Sequence, residues 1–339
     1  MIREIAFIAL LILPSCISNE LDEQKSEIQI LSEQIVENPN DIDLLYKRVN
    51  YNKLNNYLES ALFDLKEIVR LDSLNSNNHF NIAEVYFKLS KKKNAKSSYP
   101  SLVKYHLEKS IILDSKNNEA FALMGELLLA FSKYEEAIRV LNKSLRIEYN
   151  QEKAHMLMGY AFKQLKQNDD AIKCFRNSVN INPDFFEAYM QLGQIFHLLE
   201  DTIAVKYYNN ALRLQPTNEM ALYNKALFFQ NILDWNNALE SYAELHKVNP
   251  FHSSGHYNLG FIHMELGLFD VAANNFADAI YSNSEFFEAY YSRGNCFETL
   301  GNVIQAESDY KRAIDINPQY TYAIEALESL RRKNAKYTK

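Results

Sequence analysis

Small and bulky residues recur along this chain in a fixed phase, with a period near 34 positions. Gly125, Gly159 and Gly193 stand 34 apart, Gly260 and Gly294 continue the series, and Ala226 takes the same place between them. Eleven or twelve residues behind runs a second small series: Ala137, Ala171, Ala204, Ala238, Ala272 and Ala306. Four positions after each alanine comes a bulky residue, Leu141, Phe175, Tyr208, Tyr242, Phe276 or Tyr310. Small and bulky residues four apart share one helix face. Pro183, Pro216, Pro250 and Pro318, each twelve residues after its alanine, break the pattern before it restarts. Each period therefore predicts two helices, and Gly267 and Gly301, also 34 apart, fall where the first of them ends.

Residues 287–320 carry the fullest version, as Tyr290, Arg293, Gly294, Phe297, Ala306, Tyr310, Ala313 and Pro318. Residues 186–218 give Tyr189, Leu192, Gly193, Phe196, Ala204, Tyr208, Ala211 and Pro216, one residue short in the inter-helix turn. This pattern resembles the tetratricopeptide repeat family; only Arg293 departs, standing where the family carries Leu. The resemblance implies an all-α fold: a right-handed superhelical solenoid of about eight helix-turn-helix repeats with a C-terminal capping helix. In such a stack the small residues allow close helix approach, and each hairpin needs its neighbours to bury a core.

The units are expected at 42–75, 76–117, 118–151, 152–185, 186–218, 219–252, 253–286 and 287–320. The first keeps Leu45, Ala61 and Leu65 but has Arg48 and Asn52 at expected apolar sites. The second is eight residues longer, with Lys91 to Lys93 and Ser97 to Pro100 between its helices. Residues 28–41 form an N-terminal half-repeat helix, with Ile28, Leu31 and Ile35 at helical spacing, and the array runs over 42–320. In the capping helix and basic tail, 321–339, Ala323, Ala326, Leu327 and Leu330 make one face and Glu325, Glu328, Arg331 and Arg332 the other.

Composition adds two exclusions. With 47% hydrophobic and 23% charged residues the chain is not disordered as a whole. A net charge of −7 repels a phosphate backbone, which argues against nucleic acid as a partner. Cys174 and Cys296 lie far apart at helical positions and read as small buried apolar residues.

The first residues differ in kind. Arg3 precedes an apolar run, Ile5 to Leu13, too short to span a bilayer and laid out like a secretory signal. Leu13-Pro14-Ser15-Cys16 resembles the bacterial lipobox, although Pro14 replaces the usual small residue and Glu4 weakens the basic start. The resemblance implies a signal peptide at 1–15, lipidation of Cys16, a tether over 16–27, and an exported outer-membrane lipoprotein of a Gram-negative bacterium. An unlipidated signal peptide and an uncleaved apolar terminus stay open.

The family resemblance also implies a concave groove lined by the first helices. Carried over to this sequence, its positions are Met156, Tyr160, Lys163, Met190, Gln194, His197, Tyr223, Gln230, Tyr257, Phe261, Met264, Tyr291, Asn295 and Glu298. Tyr223, Tyr257 and Tyr291 also fit the ordinary repeat scaffold. A clamp for a C-terminal carboxylate is not expected, because Glu119, Glu126, Glu187 and Glu288 occupy such positions as often as Lys153 or Lys163. His252, His256 and His263 are spaced as metal ligands would be, but His256 and His263 fall on packing positions, so packing is the expectation. No phosphate-cradling loop, nucleophile elbow or HExxH motif occurs. The expected function is an envelope-anchored scaffold that binds proteins or peptides, with no cofactor and no catalysis. A soluble periplasmic co-chaperone with many clients and a non-catalytic subunit of an envelope enzyme complex are the alternatives.

Overall fold

The computed structural model describes residues 26–337, with side chains to 334. Cys16, the signal segment, the start of the tether and the last two residues, Thr338 and Lys339, lie outside the described residues. Among those described there are eighteen α-helices and no strand, and no helix is long and apolar enough to cross a membrane.

The chain divides into two compact units, one ending at Ser115 and one starting at Lys116. The first holds α1 (Glu27–Glu37), α2 (Ile42–Leu54), α3 (Leu58–Leu71), α4 (Ser76–Ser90) and α5 (Tyr99–Leu113). The second opens with α6 (Asn118–Ala130), α7 (Tyr134–Ile147), α8 (Glu152–Gln164), α9 (Asn168–Ile181), α10 (Phe186–Leu198) and α11 (Ile203–Leu214). It continues with α12 (Glu219–Asn231), α13 (Trp235–Val248), α14 (Ser253–Glu265), α15 (Phe269–Ser282), α16 (Phe287–Thr299), α17 (Val303–Ile316) and α18 (Thr321–Tyr337). From α2 to α17 the helices pair consecutively into hairpins, and within each unit every hairpin packs on the next.

Local chemistry sets the helix starts. Asp41 accepts from the backbone N–H of Asp43 and Leu44, Asn117 from Ala120 and Asn218 from Ala221, which satisfies donors the first turn leaves free. In the long second hairpin Tyr99 and Pro100 are not loop but open α5, where a proline costs no hydrogen bond.

The glycine series is a contact series. A Cβ on Gly159 would stand 2.7 Å from Phe175, and one on Gly193 2.6 Å from Tyr208. The bulky residue of the second helix lies directly on the glycine of the first, and Phe175, Tyr208, Tyr242, Phe276 and Tyr310 are all sealed from solvent. The inter-helix turns share a second constraint: Asn56, Ser132, Lys166, Glu200, Leu233, Gly267 and Gly301 all have positive φ. Beyond each, the next N–H reaches back to the first helix, as from Gln167 to the Phe162 carbonyl at 2.9 Å, the left-handed helix ending that glycine favours. Glu200 keeps this place in the short hairpin, so the missing residue falls just after it: Glu200 and Ala204 are four apart where Lys166 and Ala171 are five apart.

Candidate partner-binding face

Within the second unit, the close packings between helices not adjacent in sequence join first helices to first helices: α6 with α8, α10 with α12, α14 with α16, and α16 with the terminal α18. First helices thus crowd together on one side, and all fourteen expected groove residues lie on α8, α10, α12, α14 and α16.

The structure sorts these fourteen by how far they are already engaged. Met190 is 4% exposed and belongs to the core around Tyr208, so it offers a ligand almost no surface. The Asn258 side chain donates to the Tyr223 hydroxyl at 3.2 Å, and the Tyr257 hydroxyl lies 3.4 Å from Ser292 Oγ. In the first unit Asn81 stands 3.4 Å from the Tyr46 hydroxyl at the same spacing of 35 residues. A first-helix tyrosine bonded to the residue 35 positions on is therefore a stitch between hairpins. Tyr291 packs among Tyr310, Tyr320 and Tyr322, with ring centroids 6.0, 5.4 and 6.2 Å away. These three tyrosines are largely scaffold.

Several of the polar members are also tied inward. Tyr242 donates to Gln230 Oε1 at 2.7 Å and accepts from Asn258 at 2.8 Å, and burial raises its pKa. The Tyr310 proton is shared between Asn295 Oδ1 at 2.7 Å and Glu298 Oε2 at 2.9 Å, while Lys333 on α18 holds the other Glu298 oxygen at 2.8 Å. Asn231 donates to His197 Nε2 at 2.9 Å, which leaves the proton on Nδ1, 3.3 Å from the Tyr208 hydroxyl. Burial holds His197 below its ordinary pKa.

Five of the fourteen remain partly open or incompletely matched. Tyr160 is 38% exposed, and Met156, Phe261 and Met264 are half-buried. Lys163 donates to Gln191 Oε1 at 2.8 Å and Gln194 Oε1 at 3.0 Å. Its ammonium is half-buried among neutral oxygens without a carboxylate, and burial lowers its pKa. Sequence reasoning missed Gln191, Asn231 and Asn258, the amides that complete this surface.

A family model described as tetratricopeptide repeat matches residues 287–320, and another described as TPR repeat matches 159–199. The chain carries tetratricopeptide repeats. No curated protein sequence matches it. Among solved structures, one titled for the functional characterisation of pilF from Pseudomonas aeruginosa is 17% identical, covers 62% of this chain and 92% of its own, and superposes with a TM-score of 0.53. MamA from Desulfovibrio magneticus is 19% identical over 50% of this chain and 96% of its own, with a TM-score of 0.46. At these identities the likeness is one of fold.

The histidines of the hairpins are spent on packing. His252 caps α14 by accepting from the Gly255 N–H at 3.0 Å, His263 Nδ1 lies 3.2 Å from the Asn275 amide, and His256 stacks on His246 with centroids 3.8 Å apart. His79, His155 and His256, each fourth in its hairpin, bond through Nε2 to the carbonyl six residues earlier, at Ser73, Tyr149 and Pro250. Among the described residues no group of three or more His, Cys, Asp or Glu is placed to hold a metal. Cys174 and Cys296 are buried free thiols, with pKa pushed up by burial to about 12 and about 11, far from a reactive thiolate.

Proposed function

We propose that this chain is a non-catalytic interaction scaffold that takes a segment of a partner protein along the first-helix face of α8 to α16. One contrast carries the reading. The bulky residue that faces each first-helix small residue, Leu141, Phe175, Tyr208, Tyr242, Phe276 or Tyr310, is fully buried, whereas Tyr160, Phe261, Met156 and Met264 keep apolar surface open on the first helices. Partly open aromatic and thioether side chains beside donor and acceptor groups suit apolar anchors plus hydrogen bonds to an extended backbone. Lys163 adds a cation with room for a carbonyl or carboxylate of the partner.

The finer part of the proposal is the setting: export and lipidation at Cys16, which would hold the scaffold on the envelope of a Gram-negative bacterium. The apolar run Ile5 to Leu13 followed by Leu13-Pro14-Ser15-Cys16 supports it.

The test is affinity purification of the full chain from detergent-solubilised cells beside Cys16→Ala and Tyr160→Ser/Phe261→Ser versions, with mass spectrometry of the N-terminus and partners. An acylated terminus with one stoichiometric envelope partner, lost in the double variant while helicity is kept, supports both parts. An unmodified terminus removes the anchor, and a partner set untouched by the double variant removes the first-helix face.

A further inference from the structure

We propose that the hairpin-turn edge of the second unit, from the end of α10 to the start of α17, docks a cationic amphipathic helix of a partner protein. This surface lies on the turns joining first and second helices. It adjoins the first-helix face at His197, Gln230, Met264 and Glu298 but is carried by the turn residues beyond them, and neither proposal depends on the other.

Four successive turns each place an aliphatic side chain in water. Leu198 is 74% exposed, Leu233 66%, Leu268 49% and Ile304 84%, with Leu199 and Val271 beside them. A turn in water needs none of these residues for its backbone, since its left-handed position is served by Ser132 and Lys166 in the two preceding hairpins. One exposed leucine is ordinary, but an exposed aliphatic side chain on each of four consecutive turns puts repeated apolar surface along one edge, the kind of feature that marks an interface.

Charge selects the occupant. The segments 197–203, 230–236, 264–271 and 298–305 contain no Lys or Arg. Six carboxylates lie in them; Glu298 pairs with Lys333, while Glu200, Asp201, Asp234, Glu265 and Asp270 join no ion pair among the described residues. The two buried aspartates, by contrast, are matched, Asp64 with Arg48 and Asp309 with Arg293. An aliphatic row flanked by unmatched carboxylates repels anionic lipid and nucleic acid. Its complement is a helix with an apolar stripe at i, i+3 and i+4 bordered by Lys and Arg.

The experiment titrates the full-length protein into a fluorescein-labelled amphipathic helical peptide of Leu and Lys, a scrambled peptide of equal composition, and a version with Glu for Lys, reading anisotropy at several salt concentrations. The Leu/Lys helix should bind, and both controls at least about tenfold more weakly. The surface variant Leu198→Ser/Leu233→Ser/Leu268→Ser/Ile304→Ser should lose binding by at least about tenfold, while Tyr160→Ser/Phe261→Ser binds as wild type. Glu200→Gln/Glu265→Gln/Asp270→Asn, which breaks no ion pair within the chain, should weaken binding and flatten its salt dependence. Equal affinity of the edge variant, or equal binding of the Glu peptide, overturns the proposal. Wild-type self-association in sedimentation that the edge variant abolishes would overturn it too, since the occupant would then be a second copy.

Discussion

Arg293 grips Asp309 at two points, Nε to Oδ2 and Nη2 to Oδ1, both at 2.8 Å. Arg48 holds Asp64 in the same way, again sixteen residues on, at 2.8 and 2.7 Å. Each pair bridges the two helices of one hairpin, with the carboxylate almost fully buried and the guanidinium partly open. The hairpin 118–151 puts Met124 and Val140 at these two places.

Arg293→Met alone should therefore cost about 2 kcal/mol, because it strands a buried carboxylate, whereas Arg293→Met with Asp309→Val should fall within about 1 kcal/mol of wild type. Urea unfolding followed by circular dichroism measures both. Equal losses in the single and double variants would show that the pair itself, not the stranded charge, matters.

Lys166 sits at φ +61° where Gly301 sits at φ +80°. Lys166→Gly should stabilise the chain by about 0.5 kcal/mol, the relief of left-handed strain exceeding the entropy a glycine adds to the unfolded chain, and Gly301→Ala should destabilise it by about 1 kcal/mol. Melting temperatures moving in opposite directions would bear this out; a fall in both would place the cost elsewhere in the turn.

Gly159 lies under Phe175, with Cβ space already taken at 2.7 Å. Gly159→Ala should cost about 1–3 kcal/mol by overpacking, and Phe175→Leu in the same chain should return part of it. A double-variant cycle by denaturant titration reads the coupling.

Two histidines are held neutral by burial. Burial and the neighbouring His79 depress His106 to about 4, and burial with His256 beside it depresses His246 to about 4. The His79 Nε2 proton goes to the Ser73 carbonyl, so His106 donates from Nδ1 across the 3.0 Å contact to His79 Nδ1, an arrangement that a proton on both rings destroys. Unfolded imidazoles titrate near about 6.5, so the unfolded chain binds more protons between these values. Stability is full above pH of about 6.5 and falls as pH drops towards about 4, by on the order of 1 kcal/mol per site. Thermal melts across that window check it, and His106→Gln should shallow the slope.

The pairing of helices was legible because the residues that set it are chemically extreme: a glycine, an alanine, an aromatic and a proline in fixed phase. Arg48 and Arg293 looked like departures because their partners are sixteen residues away on the other helix, and no local pattern announces a buried acid such as Asp64 or Asp309. The candidate face was legible only as a set of positions. Periodicity places Tyr223 and Tyr160 alike on first helices but cannot tell that an Asn 35 residues after Tyr223 claims its hydroxyl while Tyr160 stays open. Met190 failed for the same reason, since the cluster that buries it draws residues from the hairpins before and after its own.

The hairpin-on-hairpin packing within the second unit has a consequence for how such a chain changes over time. The junctions at Asn117, Asn218 and His252 are built alike, each capping the next first helix with its own side chain. A segment excised or duplicated between two such junctions would meet a neighbour it already fits. Length in such an array is free to drift by whole hairpins under selection for reach, with each gain or loss leaving the remaining units folded as they were.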